Sequence, residues 1–316
     1  MLPTAFIFPG QGSQAVGMGK ALFDALPAAK AVFDEVDDAL GEKLSLTIFE
    51  GPVDTLTLTA NAQPALMAVS IAALRALEHQ TGFSVATHAA FVAGHSLGEY
   101  TALAAAGSLS LGDTARLLRL RGDAMQKAVP VGQGGMCALI GAEFDLATTI
   151  AKEAAQGEIC EVANDNGGGQ VVLSGAKAAI ERAIEIAKAK GVKRALALPV
   201  SAPFHCSMMQ PAADAMRAAL ADVQVRAPQV PLISNVLAAA TSDPDQIRDA
   251  LVQQVTGQVR WRESMLWAEA QGVSRFVEIG AGKVLSGLVK RIVTGAEAVT
   301  LGNPDDIAPV TAFLKT

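Results

Sequence analysis

The pentapeptide Gly94-His95-Ser96-Leu97-Gly98, set between an apolar run at residues 89–93 and a helix-forming run at 97–106, restricts the fold of this chain more than any other feature. A strand that turns directly into a helix needs glycines on both sides of the serine, because Cβ atoms there would meet neighbouring backbone. The serine is then held in a strained conformation with its hydroxyl raised above the strand end. The helix that follows points its free N–H groups at any oxyanion formed there. Ser96 is therefore a candidate nucleophile; the plainer alternative is a glycine-rich turn with a capping serine.

The same strand-then-helix rhythm runs through the first half, with a strand over Thr4–Phe8, a helix over 64–80, a strand over 89–93 and a helix over 97–106. Such alternation predicts an α/β fold with a parallel sheet wrapped by helices. Near Pro130, Gly132, Gly134 and Gly135 open a segment of different pattern. It reads as strand 136–141, helix 145–155, strand 159–163, strand 171–174, helix Lys177–Ala189 and strand 194–198. The order β-α-β-β-α-β is the split βαβ plan of a ferredoxin-like subdomain. The expected domains are thus a core of residues 1–129 and 200–316 and an inserted subdomain of 130–199, with 199–203 as return linker. Beyond it the sequence predicts a strand over 231–234, a helix over 246–255, a strand over Arg275–Ile279, a helix over 284–293 and a strand over 298–301.

Composition narrows the function classes. With 51% hydrophobic but only 4% aromatic residues, the core must be built from Ala, Val, Leu and Ile. A formal net charge of −6 argues against nucleic acid as the main partner, since phosphate binding needs a basic surface. Cys137, Cys160 and Cys206 have none of the spacings of a zinc site or a disulfide framework and read as buried thiols in a reducing compartment. No basic stretch precedes the short apolar run at residues 5–8, and the apolar stretch at 64–77 is too short to span a bilayer. A cytoplasmic protein that does not engage a membrane, binds no metal and acts as a monomer is the expectation.

A hydroxyl nucleophile needs a base, and the sequence holds four histidines. His79 ends a helix and His88 falls in a connecting loop, so both are expected in solvent. His95 adjoins Ser96, but its ring should point away from the Ser96 side chain. His205, in an irregular loop after a strand, is the expected base. No Asp or Glu stands out as its orienting partner, and a backbone carbonyl can fix the tautomer instead.

The helix expected from Ser110 to Ala128 is capped by Ser110, with Asp113 three residues on. Arg121 falls in the middle of its apolar sector, among Leu117, Leu118, Ala124, Met125 and Ala128. A buried arginine must be paired, either with a structural carboxylate or with the carboxylate of a substrate. Pro9-Gly10-Gln11-Gly12-Ser13-Gln14 fails as a dinucleotide fingerprint because Ala15 stands at the third glycine position. Gly280-Ala281-Gly282-Lys283 lacks the rest of a P-loop and reads as a strand-to-helix turn.

Taken together, Pro9-Gly10-Gln11-Gly12-Ser13-Gln14, Gly94-His95-Ser96-Leu97-Gly98-Glu99-Tyr100, Leu120-Arg121-Gly122 and Pro203-Phe204-His205 resemble the motifs of the malonyl-CoA:acyl carrier protein transacylases of fatty-acid synthesis. The resemblance spans essentially the whole chain. It implies an α/β-hydrolase-like core with a ferredoxin-like insertion, Ser96 as nucleophile, His205 as base, and an oxyanion hole from the amides of Gln11 and Leu97. It further implies Arg121 as clamp for the malonyl carboxylate, the main-chain carbonyl of Gln254 as the histidine's orienting group, and Asn164 and Asn166 at the border of the site. His95 belongs with these substrate-binding positions. Phe204 looks like its counterpart in malonyl-selecting polyketide acyltransferases and should narrow the pocket against an α-methyl branch.

The implied reaction uses a coenzyme A thioester as substrate and needs no bound cofactor. The partner, acyl carrier protein, is acidic, so a basic docking surface is expected from Lys188, Lys190, Lys193 and Arg194, or from Lys283, Lys290 and Arg291. The competing readings are a serine esterase on the same elbow, a non-catalytic carrier-binding subunit, and an acyltransferase serving polyketide synthesis.

Overall fold

Strand β1 (Thr4–Phe8) is buried along its whole length, with Phe6 and Phe8 on one side of the sheet and Ala5 and Ile7 on the other. An uninterrupted apolar strand of this kind belongs at the centre of a parallel sheet covered on both faces. The computed structural model, which describes residues 2–200 and 202–316, places it there.

The remaining strands are β2 (Phe91–Gly94), β3 (Gly134–Ile140), β4 (Cys160–Asp165), β5 (Gln170–Ala176), β6 (Arg194–Ala197), β7 (Leu232–Ile233), β8 (Ala240–Thr241), β9 (Arg275–Ile279) and β10 (Glu297–Leu301). The larger sheet has the order β10-β9-β1-β2-β7-β8 and is parallel except for β8, which pairs antiparallel with β7. The smaller is antiparallel, in the order β4-β5-β3-β6. The helices Phe144–Ala155 and Lys177–Ala189 cover one of its faces, packing on Cys137, Leu139, Val171 and Leu173. From its other face Met136, Ala138 and Val172 join the main core. The smaller sheet is tied to the segment that opens the Trp261–Ala270 helix by a parallel bridge between Asn164 and Val259 and by an ion pair of 2.8 Å between Asp165 and Arg262.

The elements expected in 134–198 and around the elbow are present to within a few residues at their ends. Other readings need correction. The helix expected from Pro64 runs over Thr59–Thr81 with Pro64 inside it; sixteen of its residues are buried, as befits a helix that is apolar nearly all round. Proline there forfeits one i→i−4 bond near the helix start, where few such bonds exist. The strand expected over 231–234 shrinks to two residues, because Ser234 turns back to bond Ala239 and Ala238. His88 lies in a short helix, Val85–His88, stacked on Phe83 at 4.0 Å, rather than in a loop.

Four helices between residues 20 and 57, and those at Gln210–Ala221, Trp261–Ala270 and Ile307–Lys315, were not expected. Ser110 caps the Leu111–Ala128 helix as read, accepting from the Asp113 amide at 3.0 Å. The expected return linker includes Ser201, which lies outside the described residues. All three cysteines are buried and free. Among the described residues no helix is long and apolar enough to cross a membrane.

Candidate active site

Ser96 stands at the carboxyl end of β2 with φ 55° and ψ −112°, a conformation that L-residues rarely adopt. The flanking glycines are required by contact. A Cβ on Gly94 would lie 1.9 Å from the Gly98 carbonyl oxygen, and one on Gly98 would lie 2.3 Å from that of Phe8. A side chain on Gly10 would similarly reach the His95 carbonyl at 2.7 Å, so the loop after β1 abuts the elbow directly.

The strained backbone is held from outside. Asn235, at the end of β7, accepts from the Ser96 amide at 2.8 Å through Oδ1 and donates to the Gly94 carbonyl at 2.7 Å through Nδ2. Gln254, from the Pro244–Thr256 helix, donates to the Ser96 carbonyl at 2.9 Å. Both peptide faces of Ser96 are thus engaged, which leaves its hydroxyl as the free functional group.

The hydroxyl oxygen lies 2.7 Å from His205 Nε2 and accepts from Arg121 Nη2 at 3.1 Å. His205 Nδ1 is 2.9 Å from the main-chain carbonyl of Gln254. A carbonyl can only accept, so Nδ1 carries the hydrogen and Nε2 is free to take the serine proton. Burial and then the nearby Arg121 charge push the His205 pKa down to about 3, so the ring is neutral over the ordinary pH range. The same His205 adopts φ 57°, and its loop is secured through Ser207, which donates to Glu161 of β4 from both its amide and its hydroxyl.

Arg121 is 1% exposed and is met by neutral amides: Nη1 donates to Gln63 Oε1 at 2.7 Å and Nη2 to Gln254 Oε1 at 2.8 Å. No carboxylate touches it among the described residues, and its Nε has no partner. Of the two pairings open to a buried arginine, the structural carboxylate is therefore not the one found. Its helix comes this close because Gly122 packs on the Thr59–Thr81 helix, where a Cβ would lie 2.5 Å from the Ala60 Cα.

Ser96, His205 and Arg121 open onto a cavity of about 270 Å³, bordered also by Gln11, Leu97, Asn164, Met136 and Phe204. Leu97 is the first residue of its helix, so its amide has no intrahelical acceptor. Gln11 accepts from Thr59 Oγ1 at 2.9 Å through its side chain. His95 also borders the cavity, with Nε2 2.8 Å from Asn166 Oδ1, and burial lowers its pKa. Phe204 is 9% exposed at the cavity wall.

The structure thus gathers every site residue expected from the sequence. It adds three that the sequence reading missed. Gln63 and Asn235 carry no motif, although Asn235 follows a strand end, where ligand sites of open α/β sheets collect. Glu99, fully buried among Leu97, Tyr100 and Leu103 on the elbow helix, was visible as a carboxylate in an apolar run. A neutral histidine on a serine beside a buried, carboxylate-free arginine can form and release an acyl ester whose acyl group bears a negative charge.

Residues 5–309 match the family model described as acyl transferase domain. The malonyl CoA-acyl carrier protein transacylase of Bacillus subtilis (strain 168) is 44% identical over 316 residues, covering 100% of this chain and 98% of the relative. The structure superposes on the crystal structure of the acyl-carrier-protein S-malonyltransferase from Bartonella henselae with TM-score 0.97 and 57% identity, each chain covered in full. A third match is a chain from a solved structure of a type II PKS acyl-carrier protein in complex with its malonyl-transacylase. It has TM-score 0.94 and 41% identity, with 99% of this chain and 100% of that one covered.

Proposed function

The chain belongs to the acyl transferase family, and from that premise we propose that it moves the malonyl group of malonyl-CoA to the phosphopantetheine thiol of acyl carrier protein through a malonyl ester on Ser96. The observation that carries this reading is the placement of the Arg121 guanidinium 3.1 Å from the Ser96 hydroxyl, with no carboxylate against it among the described residues. A neutral acyl group would gain nothing from that charge, whereas the free carboxylate of malonate is matched by the planar fork.

In the first half-reaction His205 Nε2 takes the Ser96 proton as Oγ attacks the thioester carbonyl. The oxyanion is held by the amides of Gln11 and Leu97. The C–S bond breaks, and the coenzyme A thiolate leaves with the proton from His205. In the second half-reaction the carrier thiol gives its proton to His205 and attacks the ester carbonyl; the serine oxygen departs and recovers the proton. The histidine charges only transiently, as its buried neutral ground state requires. No resident cofactor is needed, because the thioester supplies the leaving group.

The fold reading that accompanies this has residues 1–129 and 200–316 as an α/β-hydrolase-like core and 130–199 as a ferredoxin-like subdomain, in accord with the β4-β5-β3-β6 order. The subdomain supplies Asn164 and Asn166 to the site. For the carrier we favour Lys283, Lys290 and Arg291, which are exposed and make no ion pair among the described residues. The turn before them packs on Ser13 of the loop that bears Gln11. Lys188 and Lys190 are instead paired with Glu185 and Glu153. A monomer in the cytoplasm, where its free thiols stay reduced, completes the reading.

The test follows malonyl from malonyl-CoA onto holo carrier protein while free malonate is measured in parallel. Stoichiometric transfer with little hydrolysis supports the transacylase; release mainly as malonate supports the esterase reading. The relative that is in complex with a type II PKS carrier protein favours one second reading, service to polyketide synthesis. Comparing kcat/KM on fatty-acid and polyketide carriers separates the two.

A further inference from the structure

Beneath the elbow lies a carboxylate that the acyl-transfer steps do not use. Glu99 is fully buried; its Oε2 accepts from Gln254 Nε2 at 2.7 Å and from the Asn235 amide at 3.2 Å, and its Oε1 has no partner among the described residues. The Gln254 amide passes the contact on, since its Oε1 accepts from Arg121 at 2.8 Å. One neutral amide thus bridges a buried carboxylate and the buried guanidinium of the pocket.

The charge count of this chain changes during turnover. With the pocket empty, one positive and one negative group balance across Gln254. A malonyl carboxylate on Arg121 leaves two negative groups around one positive, out of contact with water, and a single proton restores the balance. Resting on the reading of Arg121 as malonyl clamp, we propose that Glu99 is the resting counter-charge of Arg121 and a positioning residue for malonyl, and that it takes up one proton from solvent when the malonyl carboxylate binds and returns it when the malonyl group leaves.

Among the described residues, the charged or titratable groups facing Glu99 are Arg121 from the Leu111–Ala128 helix and Tyr100 from its own helix. Asn235 after β7 and Gln254 are its neutral donors. Burial, the largest influence, raises Glu99 to about 7 against the lowering effect of these hydrogen bonds and of Arg121. The proton is thus exchangeable near neutrality, and a second negative charge beside Arg121 moves the balance further toward the protonated form. Malonyl should therefore bind best below about pH 7 and progressively less well above it. His205 is held neutral by burial and adds no step in this range, and burial lowers the His95 pKa as well.

The experiment measures KM and kcat for malonyl-CoA and acetyl-CoA between pH 5.5 and 9 with the wild type, Glu99→Gln and Arg121→Ala. Glutamine keeps the acceptor for Gln254 and Asn235 but cannot titrate. In the wild type the malonyl-CoA KM is expected to rise above pH 7 by up to about tenfold per pH unit, with kcat and the acetyl-CoA KM following no such step. In Glu99→Gln the rise is expected to vanish. A rise that persists in Glu99→Gln, or a wild-type malonyl profile that parallels the acetyl one, overturns the proposal. Equal loss of both substrates in Arg121→Ala overturns the clamp reading instead. Should Glu99→Gln not fold, calorimetric titration of the Ser96→Ala protein at pH 8, where Glu99 is charged before malonyl binds, in buffers of different ionisation enthalpy decides. Proton uptake with malonyl-CoA and none with acetyl-CoA supports the role, and no uptake with either refutes it.

Discussion

The main-chain carbonyl of Gln254 accepts the Nδ1 proton of His205 over 2.9 Å, so a peptide group occupies the position that a carboxylate takes in a three-residue hydrolase triad. A carbonyl fixes the tautomer but stabilises the imidazolium less than a charged carboxylate would, and the side chain of the same residue is left to engage Arg121 and Glu99. One residue therefore orients the base by its backbone and the charged pocket by its side chain.

The low basicity of His205 has a consequence that can be read from pH. Its neutral form is the competent one, and with a pKa of about 3 it remains neutral as pH falls from 8 to 5. Transfer of acetyl, which leaves Arg121 and Glu99 out of the account, is expected to show no histidine step in kcat/KM over that range. Stability responds oppositely. An unfolded histidine takes up a proton near pH 6.5 and the folded one does not, so the fold loses stability as pH drops below 6.5 toward 3. Thermal melting at pH 7, 5 and 4 should show a steeper decline for the wild type than for His205→Ala.

Arg121→Ala removes the one cation that contacts the nucleophile among the described residues. Truncating one side of a buried charge pair costs about 2–5 kcal/mol, which predicts a fall of about 10²-fold or more in kcat/KM for malonyl-CoA and a much smaller one for acetyl-CoA. Steady-state rates on both substrates check it, and equal losses would remove Arg121 from the role of clamp.

Asn235→Ala leaves the Ser96 amide and the Gly94 carbonyl without their partner beneath a backbone held at φ 55°. Each buried group left unsatisfied costs about 1–3 kcal/mol, so a lower melting temperature is expected together with slower acylation. Rapid-quench measurement of malonyl-enzyme formation distinguishes this from simple loss of folded protein.

Phe204 lines the cavity together with Met125 and Met136. Phe204→Ala should admit an α-methyl branch. Discrimination of one methylene is worth about 1–3 kcal/mol, so the ratio of malonyl-CoA to methylmalonyl-CoA kcat/KM is expected to fall by about 10-fold or more in competition assays. An unchanged ratio would place the selecting contact elsewhere.

Much of this site was readable because its motifs coincide with backbone constraints. Gly94 and Gly98 are glycine for reasons of contact alone, and that need is printed in the sequence next to the serine it serves. Arg121 betrayed itself by interrupting an apolar helical face. Of the helices between residues 20 and 57, Pro27–Leu40 was legible in Ala29, Val32, Phe33 and Val36 at helical spacing and in its bounding Pro27 and Gly41, whereas Lys20–Ala25, Leu44–Glu50 and Val53–Thr57 are too short to show a period. Asn235 and Gln63 were illegible for a different reason. Each is a lone amide whose value comes from partners 139 and 58 residues away, a relationship no local pattern expresses. The two-residue β7 shows the same limit, since the turn at Ser234 that cuts it short is fixed by Ala238 and Ala239 rather than by strand propensity.

The central claim is a malonyl ester on Ser96 that passes to a carrier thiol. Intact-mass spectrometry of the wild type and of Ser96→Ala after mixing with malonyl-CoA, followed by addition of holo acyl carrier protein, tests it most directly. A malonyl adduct on the wild type alone, discharged onto the carrier, is expected. An adduct that persists on Ser96→Ala, or one released to water while the carrier stays unmodified, would contradict it.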